Sequence, residues 1–289
     1  MLDRSLFRSF LATGSFLALA LACSHESTPT PVKKAEAASP KPVEATPPKK
    51  LELDVYAATS TRDALQALEA IYEADHPVDL VFNYGASGDL SRQIVAAAKA
   101  DVFLSADEVE MDEVEAAHLV AAGSRRILLS NQLTVIEPED GTEIFTAPFH
   151  VSQLADPKVV RLSLADVETV PVGRYAKAWL EKTGTWKDVS DRVLPGVDAR
   201  AALAAVESGG AQAGIVYMTD VARSRKARSV YVVPIDQGPK VSYPVAAIAG
   251  RPNEKEARAF VEFLASPGAR ATFEELGFLF LPQAPENAK

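Results

Sequence analysis

Leu51-Glu52-Leu53-Asp54-Val55-Tyr56-Ala57-Ala58-Thr59-Ser60-Thr61-Arg62-Asp63 is the stretch that decides the fold. Leu51, Leu53, Val55 and Ala57 alternate with other residues at the two-residue period of a strand. Ser60-Thr61-Arg62-Asp63 then fits a capping box, and Leu65, Leu68, Ile71 and Tyr72 follow at helical spacing. Residues 78–84 read as a second strand, broken by Gly85-Ala86-Ser87-Gly88. Leu90, Ile94 and Ala97 form the next helical stripe, and residues 101–104 a third, short strand. A β-α-β-α-β order of this kind predicts a parallel sheet with right-handed crossovers.

The pattern restarts further on, with a strand over 159–164, helices over 172–182 and 199–207, and a strand over 214–217. Two α/β units in one chain predict two lobes. An apolar strand over 243–249 and helices over 254–265 and 268–276 close the chain, and no sequence repeat links the halves. The 289 residues are 47% hydrophobic, enough for one large core or two smaller ones. The net charge of −9 argues against nucleic acid as a partner.

The first residues have another logic. Arg4 and Arg8 precede the apolar residues 10–22, the layout of a secretory signal peptide over 1–22. Cys23, the only cysteine, excludes an intrachain disulfide. Leu19-Ala20-Leu21-Ala22-Cys23 resembles the bacterial lipobox, with Ala20 where Leu is usual. Cys23 is therefore the expected lipidation site, and Ser24 after it points to an outer membrane. Residues 23–50, rich in Pro and Ala, cannot bury enough surface to fold and read as a tether. Nothing beyond them approaches the ~20 apolar residues of a membrane span.

Ligands of open α/β sheets bind where strands end and helices begin. Four such junctions are rich in small or hydroxyl residues: Ala57-Ala58-Thr59-Ser60-Thr61, Gly85-Ala86-Ser87-Gly88, Val170-Pro171-Val172-Gly173 and Val197-Asp198-Ala199-Arg200. A helix start offers unpaired backbone N–H groups and the positive end of its dipole. Several aimed at one point would hold a tetrahedral oxyanion by donors alone. Each junction alone is equally an ordinary helix cap.

Other chemistry finds little support. Glu108, Glu110, Asp112, Glu113 and Glu115 lack EF-hand spacing and read as a solvated helix start. His25, His76, His118 and His150 are scattered, without zinc-ligand spacing. Gly85-Ala86-Ser87-Gly88 is one residue short of a nucleophile elbow and has no histidine in a plausible base setting, so no enzyme activity is expected. Trp179 and Trp186 read as packing residues. Arg62, Arg174 and Arg200 fall near the predicted cleft and are candidates to reach a ligand.

From about residue 51 to 282, the chain resembles the periplasmic molybdate-binding proteins of ABC uptake systems, type II periplasmic binding proteins. The resemblance is carried by Ala57-Ala58-Thr59-Ser60-Thr61, by Ser87 with Leu90-Ser91-Arg92-Gln93-Ile94, and by Ala100-Asp101-Val102-Phe103-Leu104-Ser105-Ala106-Asp107. It continues through Val170-Pro171-Val172-Gly173-Arg174-Tyr175-Ala176, Asp198-Ala199-Arg200-Ala201-Ala202-Leu203, Gly214-Ile215-Val216-Tyr217 and Tyr243-Pro244-Val245-Ala246. It implies an α/β fold of two Rossmann-like lobes with mixed sheets, joined by crossing hinge strands. Lobe 1 would comprise 51–133 and 237–284, and lobe 2 134–236.

The resemblance also implies the ligand set. Thr59 and Ser87 stand at ligand serines, Val172 and Ala199 at backbone N–H donors, and Tyr217 at a tyrosine whose hydroxyl donates. Thr59 and Val172 are larger than the family's usual residues. Gly88-Asp89 replaces hydroxyl residues, and Asp89 is expected to face solvent. Molybdenum or tungsten would be held only as the oxyanion, with no cofactor. The implied protein is a monomeric, extracytoplasmic lipoprotein delivering molybdate or tungstate to a permease with its ATPase. A binding protein of the same fold for another oxyanion, such as sulfate, is the alternative. Ferric-type relatives need paired tyrosines or carboxylates, and only Tyr217 is suitably placed. Fully deprotonated oxyanions only accept hydrogen bonds, and hydroxyls and N–H groups donate them. Phosphate retains a proton and wants an acceptor, and none of the five positions is acidic.

Overall fold

The computed structural model describes residues 50–280, apart from residues 98 and 142. The signal peptide, Cys23, the tether up to residue 49 and residues 281–284 lie outside the described residues. In chain order the elements begin with β1 (Leu51–Ala58), α1 (Arg62–Asp75), β2 (Val78–Gly85), α2 (Ser87–Ala97), β3 (Val102–Leu104), α3 (Glu108–Ala116) and β4 (Arg126–Leu129). Then come β5 (Leu133–Pro138), β6 (Leu162–Ala165), α4 (Pro171–Lys182), α5 (Trp186–Val189), β7 (Val193–Gly196), α6 (Ala199–Glu207), β8 (Ala213–Tyr217), α7 (Met218–Val221) and β9 (Ala227–Val232). β10 (Tyr243–Ala247), α8 (Glu254–Leu264) and α9 (Pro267–Glu275) complete it.

The strands form two five-stranded mixed sheets, ordered β2-β1-β3-β10-β4 and β7-β6-β8-β5-β9. β1 is parallel to β2 and β3, as the opening β-α-β-α-β order predicts, while β10 runs antiparallel to β3 and β4. The second sheet repeats the plan, with β6 parallel to β7 and β8 and β5 antiparallel to β8 and β9. α1, α2, α3 and α8 pack around the first sheet, and α4, α6 and α7 around the second. Each sheet with its helices forms a lobe. β6, β8 and β10 are buried along their whole length, which requires cover on both sheet faces and explains their unbroken apolar runs.

The chain crosses between sheets twice, from β4 to β5 and from β9 back to β10. The crossings are tied side by side. Ser130 exchanges backbone hydrogen bonds with Leu279, and its hydroxyl donates to the Val241 carbonyl at 2.8 Å. The Asn131 amide donates to the Thr219 hydroxyl at 2.8 Å and to the Tyr243 hydroxyl at 3.3 Å.

Three local expectations change. No capping box starts α1. A 3-10 turn over Thr59–Thr61 joins β1 to the helix, with the Thr61 hydroxyl donating to the Ala58 carbonyl at 2.7 Å and the Ser60 hydroxyl paired with Tyr243 at 3.1 Å. The strand expected at 159–164 forms at Leu162–Ala165; Val159 is instead held in a turn, its N–H donating to the Asp156 carbonyl at 2.9 Å. The acidic run does open a helix, but Glu110 is buried, within reach of the Ser91 hydroxyl and the Arg174 guanidinium. Asp89 faces solvent with Arg92, and Trp179 packs in the core, as expected.

Gly173 lets α4 seat against the end of β6. A Cβ there would come within 2.3 Å of the Ala165 carbonyl oxygen and 2.4 Å of that of Asp166. Gly173→Ala should therefore destabilise the fold by roughly 1–3 kcal/mol, the usual range for overpacking. A thermal melt should show a midpoint several degrees lower; an unchanged midpoint would show that α4 is free to shift.

Candidate functional site

The parallel strands of each sheet deliver four helix starts to one cavity between the lobes. It is lined by Thr59 and Ser60 after β1, Ala86 and Ser87 after β2, and Val170 to Val172 at the start of α4. Asp198 and Ala199 at the start of α6, and Tyr217 at the end of β8, complete most of the wall. All five residues singled out in the sequence, Thr59, Ser87, Val172, Ala199 and Tyr217, are therefore brought together. The free space is about 10 Å³ for the centre of a water-sized sphere. That suits a single small ion and falls far below the several hundred Å³ of an organic-ligand pocket.

The wall is built of donors. The first N–H groups of α4 and α6 have no partner within their own helices. Pro171 occupies the first turn of α4, no side chain caps that helix, and Val172 follows directly. The Ser87 hydroxyl oxygen accepts the Ala106 N–H at 2.9 Å, which leaves its proton free to turn into the cavity. The Tyr217 hydroxyl is buried without a well-formed hydrogen bond, beside a Tyr243 hydroxyl already engaged by Ser60 and Asn131. Burial pushes the Tyr217 hydroxyl well above its usual range, so it stays protonated and keeps a proton to give.

Thr59 meets Asp198 across the cavity wall. Its hydroxyl donates to the Asp198 carboxylate at 3.2 Å. Asp198 is the lining residue that sequence reasoning passed over as a site group. Its other oxygen accepts the Ala201 N–H at 2.8 Å, capping α6. Asp is an ordinary cap at a helix start, so nothing marked it as part of a binding wall.

None of the lining residues is Lys, Arg or His. The arginine candidates are engaged elsewhere. Arg62 lies 4.7 Å from the centre of the Tyr84 ring. Arg174 pairs with Asp107 and, at 2.8 Å, with Glu110. Arg200 pairs with Asp63 at 2.8 Å and lies 3.5 Å from Asp220. Among the described residues, no group of three or more His, Cys, Asp or Glu could hold a metal ion.

A family model for bacterial extracellular solute-binding proteins matches residues 53–279. The chain belongs to that family. This solute-binding protein is 36% identical over 228 residues to the molybdate-binding protein ModA of Escherichia coli K12, covering 78% of this chain and 88% of that one. It is 35% identical over 231 residues to a putative ABC transporter substrate-binding lipoprotein of Bacillus subtilis, covering 80% and 87%. Its fold matches the periplasmic molybdate-binding protein of Azotobacter vinelandii with a TM-score of 0.71, at 20% identity over 80% of this chain and all of that one. Membership of an extracellular family places the work of this cavity outside the cytoplasm.

Two further groups bear on the solute-binding protein's cavity. Gly88 sits where the lobes meet: a Cβ would lie 2.4 Å from the Thr169 carbonyl oxygen of the other lobe. Gly88→Ala should keep the two lobes apart. The expected result is an unchanged melting midpoint with a larger radius of gyration by solution scattering; an unchanged radius would mean the contact yields.

Asp220 is fully buried behind Tyr217, and burial raises its carboxyl to about 7 against the pull of Arg200. The folded state then binds this proton more tightly than the unfolded chain. The contribution is fully favourable below the unfolded value near 4 and declines as pH rises towards 7. Asp220→Asn should therefore raise the melting midpoint at pH 8 and raise it less at pH 5. Equal effects at both pH values would remove the titration from the account.

Proposed function

We propose that this protein captures molybdate, or its near twin tungstate, outside the cytoplasm and delivers it to an ABC importer. The observation that carries the proposal is a wall rich in neutral donors: Thr59, Ser87, Val172, Ala199 and Tyr217 line a space for one small ion, and no lining residue carries a positive charge. A fully deprotonated oxyanion accepts every hydrogen bond such a wall offers. A cation or a neutral organic ligand does not. The relatives named as molybdate-binding favour this ion over sulfate, whose shape and charge are the same.

In this reading Val172 and Ala199 present backbone N–H groups, Thr59 its N–H, and Ser87 and Tyr217 their hydroxyl protons. Fixed dipoles in a site shut off from water act more strongly than the same groups in solvent. The protein's overall negative charge is compatible with this, because charges farther than ~8 Å away are largely screened at physiological salt. Asp198 is the one acidic residue in the wall, and its oxygens are engaged by Thr59 and Ala201. Each Asp198 oxygen already holds one donor, which lessens what it offers a protonated oxyanion such as phosphate. The partner is a permease with its ATPase. Cys23 carries the lipid anchor after removal of residues 1–22, and the chain works as a monomer without enzymatic activity.

Isothermal titration of the full chain with molybdate, tungstate, sulfate and phosphate tests the proposal. Tight one-to-one binding of the first two, with weak sulfate and no phosphate, is expected. Tyr217→Phe and Ser87→Ala should each weaken binding about 10- to 150-fold, the range for a lost hydrogen bond to a charged group. Tight sulfate with weak molybdate would replace the substrate, and silence from all four would end the oxyanion reading.

A further inference from the structure

Ser60 lines the cavity beside Thr59 but is not among the five candidate binding residues. The capping box that would occupy its hydroxyl does not form, and no side chain caps the 3-10 turn or α1. Ser60 is buried, and among the described residues its hydroxyl makes one hydrogen bond, with the Tyr243 hydroxyl at 3.1 Å. Which of the two oxygens gives its proton decides what Ser60 offers the cavity.

The direction follows from the protons around Asn131, in the crossing from β4 to β5. The Gln132 backbone N–H donates to Asn131 Oδ1 at 2.9 Å, which fixes the other end of that amide as the nitrogen. Its two protons go to the Thr219 hydroxyl at 2.8 Å and the Tyr243 hydroxyl at 3.3 Å. Tyr243 thus receives a proton from Asn131 and must give its own elsewhere. Burial holds that hydroxyl in its protonated form. The Tyr217 ring lies beside it, but the Tyr217 hydroxyl makes no well-formed hydrogen bond. The Ser60 oxygen is therefore the acceptor. A serine hydroxyl that has accepted a proton still carries its own. Among the described residues no protein group takes the Ser60 proton, and the cavity is beside it.

We propose that Ser60 is a sixth ligand of the oxyanion, donating its hydroxyl proton into the cavity, and that Asn131 and Tyr243 are positioning residues that hold it in this role through a one-way relay of hydrogen bonds. The proposal rests on the oxyanion reading above. Turning the Ser60 proton back towards Tyr243 would leave the Tyr243 proton unmet in a buried place, which is costly. The relay therefore makes Ser60 a giver of protons, suited to an ion that only accepts. A tetrahedral oxyanion has room for it, because each of its oxygens takes more than one donor.

Isothermal titration of the full chain with molybdate tests the assignment. Ser60→Ala should weaken binding about 10- to 150-fold, the loss of one hydrogen bond to a charged group. Tyr243→Phe keeps the ring and breaks the relay, and should weaken binding about 2- to 10-fold, the usual worth of a neutral hydrogen bond. In the Ser60→Ala background the same Tyr243→Phe change should cost nothing further, since the proton it steers is already gone. A merely structural role for Tyr243 does not produce that dependence. Unchanged binding in Ser60→Ala would overturn the ligand, and equal losses from Tyr243→Phe in both backgrounds would overturn the relay. Should Ser60→Ala fold poorly, Ser60→Cys replaces it, because a thiol is close in shape and a weak donor. Weakened binding is again expected, and unchanged binding again overturns the ligand. Failure of the oxyanion reading looks different: the wild-type chain then binds none of the oxyanions, and the Ser60 assignment falls with it.

Discussion

Parallel strand pairing is the constraint on which the rest of this molecule depends. β1 and β2 are parallel, and so are β6 and β7. Each of the four leads through a short junction into a helix, so within a sheet the helix starts lie at one edge. Crossing twice between sheets places the two edges face to face, and the space between them is walled by N–H groups and hydroxyls. The antiparallel strands, β10 in one sheet and β5 in the other, are the first strands reached after each crossing. They set each sheet beside the route by which the chain enters it, and Tyr243 at the start of β10 supports Ser60, Asn131 and Tyr217 from behind.

Much of this was written plainly in the residues. α6 occupies Ala199–Glu207 as its alanine-rich apolar stripe predicts, and the four strand–helix junctions meet because the strand order obliges them to. What was hidden was polar. β5 lies inside its sheet yet carries Thr134 and Glu137, both buried, and Glu137 is neutralised by Arg228 at 2.7 Å from the neighbouring strand. A buried polar residue with a distant partner has no local signature. β4, β7 and β9 are edge strands with one neighbour each, and β7 and β9 bury little of their length. Asp198 was visible as a cap, and its turn towards Thr59 follows only from how the lobes meet. Glu110 sat within a run of acids that otherwise faces water, and only the approach of Arg174 distinguishes it.

The arginines show how an acidic protein can host an anion site without placing a cation in it. Arg174 and Arg200 are matched to Asp107, Glu110 and Asp63, so their charges are taken up by carboxylates. In the proposed reading, binding is left to neutral dipoles, which hold their direction and do not compete for other counterions. This division also suits Gly88, whose missing side chain lets the Thr169 carbonyl come close enough for the wall to shut.

The Tyr217 hydroxyl is buried with no acceptor among the protein's own groups, and an oxyanion between the lobes would supply one. A buried donor left unmet costs roughly 1–3 kcal/mol, and the free N–H groups of α4 and α6 add to it. An ion that meets these donors therefore favours the shut arrangement. Occupancy is thereby written into shape: a shut molecule is predominantly a loaded one. A partner that recognises only the shut outline would read cargo without ever touching it, and would seldom be engaged by a carrier with nothing to deliver.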